Sequence, residues 1–181
     1  MITHSIKTDN ANVESKIALR KQATEHLESF KVLDLFAGEN KLWETFECEK
    51  YYGVEMKKGK GKNVNADNLR IIPSLDLSKF NVIDLDSYGI PFNQIELLYK
   101  NPTLQKGTVI IYTAITNKMS ALTEGAKKMA NIQEIYTKCR TLFNGMALEL
   151  FYGRLYQLGV VEVTEYMTKE KFEKHYGFFT I

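Results

Sequence analysis

Residues 31–39, Lys-Val-Leu-Asp-Leu-Phe-Ala-Gly-Glu, constrain the fold more than any other stretch, because an apolar strand runs directly into an acidic residue and a small-residue turn. Val32, Leu33, Leu35 and Phe36 surround a single Asp34, the pattern of a strand buried on both faces. Ala37-Gly38 then lets the backbone turn tightly beneath a ligand. Nucleotide-binding α/β sheets begin in this way. An acid at the strand end suits a neutral or cationic ligand group better than a pyrophosphate.

Similar runs recur at intervals. Lys50–Glu55 ends on an acid, residues 80–86 end on two, and residues 106–113 form the most continuously apolar run of the set. Separated by helix-sized segments, such runs predict a parallel sheet. An amphipathic helix is expected over 13–30, short helices over 40–47 (capped by Asn40) and 93–100, and a helix over 146–158 stopped by Gly159. Apolar residues from Met119 to Cys139 fall at helical spacing and predict one long helix over 118–141. Residues 160–166 and 176–181 read as two further strands with too little chain between them for a crossover helix, hence as antiparallel neighbours.

The chain has 181 residues, 44% of them hydrophobic, which is enough for one buried core and short for two, so 1–181 is read as a single domain with 1–30 as a helical lead-in. A net charge of +2 does not by itself announce a nucleic-acid binder. No apolar run approaches a membrane span and the polar start lacks a signal-peptide core, so a cytoplasmic location and no membrane partner are expected. Cys48 and Cys139 lack metal-ligand spacing, His4 and His26 give no metal or triad pattern, and Trp43 and His175 read as structural. No metal is expected.

These residues resemble class I S-adenosylmethionine-dependent methyltransferases from about Val32 to Ile181. Residues 32–38 are similar to the first motif of that family, 52–55 to the second, 65–68 to the third and 84–91 to the fourth. The resemblance implies an α/β, three-layer Rossmann-like methyltransferase fold with a mostly parallel seven-stranded sheet and an antiparallel C-terminal strand. It also implies S-adenosyl-L-methionine as cofactor. Phe36, Ala37, Gly38 and Asn40 would form the turn beneath it, with Asp34 near the methionine amino group. Glu55, followed by Met56, would accept both ribose hydroxyls, while Asp67 and Asn68 would meet the adenine.

The fourth segment decides the chemistry. Asp84-Leu-Asp86-Ser87-Tyr88-Gly89-Ile90-Pro91 is similar to the D-x-D-P-[FY]-G-x-P pattern of tRNA guanosine N2-dimethyltransferases, with Ser87 in place of proline. By that resemblance Asp84 and Asp86 line the acceptor site, Asp84 also bordering the cofactor, and Tyr88 offers a stacking face to a base. The expected reaction is methyl transfer to a nucleobase nitrogen of RNA or DNA, with a second copy or a partner protein supplying recognition. A small-molecule or protein methyltransferase and a non-catalytic binding module are the alternatives. The basic run 57–62 is read as a solvated loop, and Thr116, Asn117 and Lys118 as a candidate lid.

Overall fold

Two apolar residues in a row, Val32 and Leu33, require cover on both sides of the strand that carries them, and the fold supplies it in three layers. In a computed structural model, residues 12–39, 42–58, 64–116, 122, 124–143, 145–169 and 173–181 are described. The element order is α1 (Val13–Thr24), β1 (Lys31–Asp34), β2 (Lys50–Glu55), β3 (Val64–Asn65), α2 (Asn68–Ile71), β4 (Val82–Leu85), α3 (Phe92–Lys100) and β5 (Val109–Thr116). Then come α4 (Glu124–Met129), α5 (Gln133–Lys138), α6 (Ala147–Gln157), β6 (Thr164–Lys169) and β7 (Glu173–Thr180).

The seven strands lie in the order β3-β2-β1-β4-β5-β7-β6. β1 pairs parallel with β2 and β4, β4 with β5, and β2 with β3, whereas β7 runs antiparallel to both β5 and β6. Val32, Val82, Val109 and Ile111 face α1 and Trp43, while Leu33, Ile83, Ile110 and Tyr112 face the larger core that includes Ile95 and Phe151. Alternation along each strand therefore fills both cores from one sheet. Phe92, Ile95 and Leu98 bury one stripe of α3, and Phe151 and Leu155 one stripe of α6.

The single helix expected over 118–141 is instead two short helices and a 3-10 turn over Arg140–Phe143. Asn131 takes φ 54°, and the Ile132 amide donates to the Lys127 carbonyl at 3.0 Å. That is a left-handed helix stop, which asparagine tolerates and which apolar spacing alone does not reveal. Residues 42–46 form turns and not the short helix expected there, and α1 ends at Thr24, short of residue 30. Strand β6 begins at Thr164 and β7 at Glu173, both displaced from the expected ranges. Among the described residues no helix is long and apolar enough to cross a membrane, and no group of three metal-ligating side chains gathers.

Beneath α6, the Tyr112 hydroxyl lies 3.3 Å from that of Tyr152, which in turn bonds Glu165, and Glu165 bonds Nδ1 of the buried His175. This polar chain ties β5, α6, β6 and β7 together.

Candidate functional site

The register of the parallel strands places Asp34 directly beside Asp84 and beside Gly53, so the strand ends named by the sequence meet at one end of the sheet. Gly38 adopts φ 53°, the left-handed conformation for which glycine is suited, and its amide donates to Glu55 Oε2 at 3.0 Å. Glu55 Oε1 accepts the Lys57 amide at 2.8 Å. Each carboxylate oxygen has a second lone pair, so a fixed acceptor for two hydroxyl donors remains at the rim. The Ala37 amide donates to the Val54 carbonyl and the Ala66 amide to the Glu55 carbonyl, which knits the first turn, the end of β2 and the segment leading to Asp67 into one frame.

Asp67 caps α2 by accepting the Leu69 amide at 3.0 Å. Asn68 donates from Nδ2 to the Leu35 carbonyl and accepts from Gln94, so its side chain braces the turn against α3. Met56 and Tyr88 are exposed at 68% and 76%, the latter on the loop after β4. Ala37 is buried and Phe36 packs on the larger core. Asn40 and the expected lid residues Asn117 and Lys118 lie outside the described residues, as does the basic run beyond Lys58.

Below this rim lies a buried charge cluster that sequence reasoning did not find. Asp34 Oδ1 accepts the Phe36 amide and its Oδ2 accepts the Tyr51 hydroxyl, both at 3.0 Å. Burial foremost, then the neighbouring Asp84 charge, pushes the Asp34 carboxyl up to about 8. Asp84 is sealed: its Oδ2 accepts Arg20 Nε at 2.8 Å and Trp43 Nε1 at 2.6 Å, while Oδ1 is buried with no hydrogen-bond partner. Burial pulls the Arg20 pKa down, but Asp84, Asp86 and Asp34 together raise it, so the guanidinium is charged.

Asp86 stands at the edge of the cluster. Lys16 Nζ lies 2.8 Å from its Oδ1 and 2.7 Å from its Oδ2, and Thr113 Oγ1 donates to Oδ1 at 2.6 Å. Burial would raise the Asp86 carboxyl, yet Lys16 and Arg20 hold it below the usual carboxylate range. Ser87 does the tethering that a proline would otherwise do by shape. Its Oγ lies 2.9 Å from the Thr113 carbonyl and 3.0 Å from that of Gly89, and the Ile115 amide donates to the Gly89 carbonyl. The loop carrying Asp86 and Tyr88 is thus pinned along β5.

The structure therefore brings Asp34, Gly38, Glu55, Asp67 and Asp86 to one end of the sheet, and it places the Asp84 carboxylate in the layer beneath, on Arg20 and Trp43. Lys16 and Arg20 belong to α1, where four-residue spacing reads simply as a polar helix face. A separate cavity of about 450 Å³ lies among α3, α4 and α6, with Glu96, Lys100, Lys128 and Arg154 on its walls. It is on the helical face, not at the strand ends.

The sequence matches no protein-family model and no curated protein. Solved structures do resemble it. A SAM-dependent methyltransferase from Archaeoglobus fulgidus superposes with TM-score 0.59 at 12% identity, over 93% of each chain. The N-methyltransferase NodS from Bradyrhizobium japonicum gives 0.55 at 10%, over 94% of this chain and 98% of that one. Phosphoethanolamine N-methyltransferase 2 from Haemonchus contortus, in complex with phosphomonomethylethanolamine and S-adenosylhomocysteine, gives 0.59 at 10%, over 92% of this chain and 52% of that one. Sheet order, antiparallel β7 and these superpositions together give the chain the Rossmann-like fold of S-adenosylmethionine-dependent methyltransferases.

Proposed function

We propose that the chain is an S-adenosyl-L-methionine-dependent methyltransferase whose acceptor is a nitrogen. The observation that carries this is the 3.0 Å bond from the Gly38 amide to Glu55, which fixes a carboxylate at the end of β2 against a left-handed glycine turn at the end of β1. Glu55 would hold the ribose diol, Asp67 the adenine amino group, and the turn at 36–38 would pass beneath the methionyl part. When bound, the cofactor supplies an electrophilic methyl group on sulfonium sulfur. The chain's own contribution is position: a carboxylate and a pinned loop fix the acceptor nitrogen with its lone pair in line. Asp86 is the acceptor-side group in this reading, and Asp84 is a positioning residue that holds Arg20 and Trp43 beneath it.

A nucleobase acceptor, as in the tRNA guanosine N2-dimethyltransferases that the fourth segment resembles, is supported by one observation, the exposed Tyr88 ring beside Asp86. A small-molecule or protein acceptor and a binding module without turnover are the remaining readings. Calorimetric titration with S-adenosylhomocysteine tests the cofactor: the wild type should bind and Glu55→Ala should not. No binding by the wild type removes the methyltransferase reading. Transfer of labelled methyl from S-adenosylmethionine to RNA, DNA, protein and small amines then separates an enzyme from a module.

A further inference from the structure

We propose that Asp86, Thr113 and Tyr176 form a binding site for a protonated alkylamine, filled in this structure by the chain's own Lys16, and that the methyl acceptor enters by displacing that lysine. The inference rests on the methyltransferase reading and names the substrate class of the same site.

The geometry is that of ammonium recognition. Lys16 reaches Asp86 from 70 positions away in sequence and contacts both carboxylate oxygens, at 2.8 and 2.7 Å. The Thr113 hydroxyl donates to the same carboxylate at 2.6 Å and fixes its orientation. On a third side the Tyr176 ring faces the ammonium, with Nζ 5.8 Å from its centroid. A carboxylate, a hydroxyl that locks it and an aromatic face are the parts from which amine sites are built.

Charge balance then selects the class of ligand. Lys16 is the close counter-ion of Asp86, while Arg20 is engaged mainly by Asp84, at 2.6 Å against 3.9 Å to Asp86. Side-chain exposure is only 14% for Lys16 and 15% for Asp86, so the pair is largely desolvated. Removing Lys16 without replacement would leave the largely buried Asp86 carboxylate with only Arg20, 3.9 Å away and shared with Asp84, to offset it, which is costly. A neutral nucleobase amino group does not restore the balance. A protonated primary or secondary amine does, because it brings the same charge and the same donors. For transfer Asp86 would take one ammonium proton, which frees the nitrogen lone pair; the N–C bond would form as the sulfonium S–C bond breaks, giving the methylated ammonium and S-adenosylhomocysteine, and the proton on Asp86 would pass to water. Tyr88, exposed on the adjoining loop, then borders the entry and is free of any stacking requirement.

The test uses butylammonium as the probe, with wild type, Lys16→Ala, Lys16→Met and Asp86→Asn, each checked for folding by circular dichroism. Lys16→Met keeps the volume of the lysine stem and covers the case in which Lys16→Ala does not fold. Calorimetry gives S-adenosylhomocysteine binding and butylammonium binding separately, and labelled S-adenosylmethionine gives transfer. The expected result is butylammonium binding at least tenfold tighter in a Lys16 variant than in wild type. That variant also methylates butylamine faster than wild type, and Asp86→Asn loses amine binding while still binding S-adenosylhomocysteine. Three results overturn the proposal while leaving the cofactor reading intact: S-adenosylhomocysteine binds and butylammonium does not, butylammonium binds and is never methylated, or nucleosides are methylated in preference to the amine. If S-adenosylhomocysteine binds to no form, the methyltransferase reading falls first and the acceptor assignment falls with it, whatever the amine does.

Discussion

Arg20 Nη2 lies 2.6 Å from Asp84 Oδ2, and both side chains are sealed from solvent at 1% and 0% exposure. Two charges taken out of water in this way depend on one another and on the Trp43 indole N–H that shares the same oxygen. Replacing one partner strands the other. Arg20→Met is expected to cost about 3–5 kcal/mol of stability. Arg20→Met combined with Asp84→Leu should recover most of that loss, because no buried charge is left. Urea titrations of the three proteins measure it, and an unchanged midpoint in Arg20→Met would show that the pair contributes nothing net.

Glu55 is held by two backbone amides, those of Gly38 and Lys57. Glu55→Gln keeps the shape and removes the charge and one acceptor oxygen. S-adenosylhomocysteine affinity should fall roughly tenfold or more, about 1.4 kcal/mol, since a hydrogen bond to a charged group contributes about 1.5–3 kcal/mol. Stability should change little, because the carboxylate stands at the rim. Calorimetry beside a melting curve separates the two effects, and a parallel loss of both would assign Glu55 to the fold alone.

The Asp34 carboxyl, raised to about 8 from 3.8, gives a pH signature. Burial, with the Asp84 charge next, makes the folded state hold a proton that the unfolded chain has already released. The folded chain binds more protons across that window, so the Asp34 contribution to stability is present in full below the unfolded value and is lost as pH rises towards the folded one. The loss is at most about 1.4 kcal/mol per pH unit. Asp34→Asn cannot release the proton. Wild-type stability relative to Asp34→Asn should fall between about pH 4 and pH 8 and level off above. A flat difference would place the Asp34 pKa near its ordinary value.

Gly177 leaves room for the Tyr112 ring to cross β7. A Cβ there would stand 2.8 Å from Cε1 of Tyr112 and closer still to its hydroxyl and Cζ. Gly177→Ala should therefore destabilise by about 1–3 kcal/mol. Adding Tyr112→Leu removes the obstructing ring and should restore part of the loss, so the double variant is less affected than the two single losses combined. Thermal melts of the three variants decide this.

Much of the frame was legible because strand periodicity and acidic strand ends are local signals. Lys50–Glu55 matches β2 residue for residue, and the antiparallel partnership of the last two strands followed from the short chain between them. The charge cluster was not legible. Arg20 and Asp84 are 64 positions apart, and nothing in a helix with four-residue Lys-Arg spacing says that one face turns inwards. Asp84 and Asp86 alternate with apolar neighbours, so the sequence offered both to the acceptor and did not show that Arg20 claims the first. β3, with two residues, is too short to carry a periodicity, and the helix break at Asn131 was hidden by apolar residues continuing across it.

The position of β7 between β5 and β6 has a kinetic consequence. One flank of β5 is paired by β4, which precedes it closely in the chain, whereas the other waits for a strand made only after α6. Until the β6–β7 hairpin arrives, the Val109–Ala114 run presents an unmated row of amides and carbonyls on a stretch with no charge and no proline. Such a row is a template for any extended chain, a neighbouring copy included. Docking of the hairpin thus both completes the sheet and closes the window in which nascent molecules can zip together.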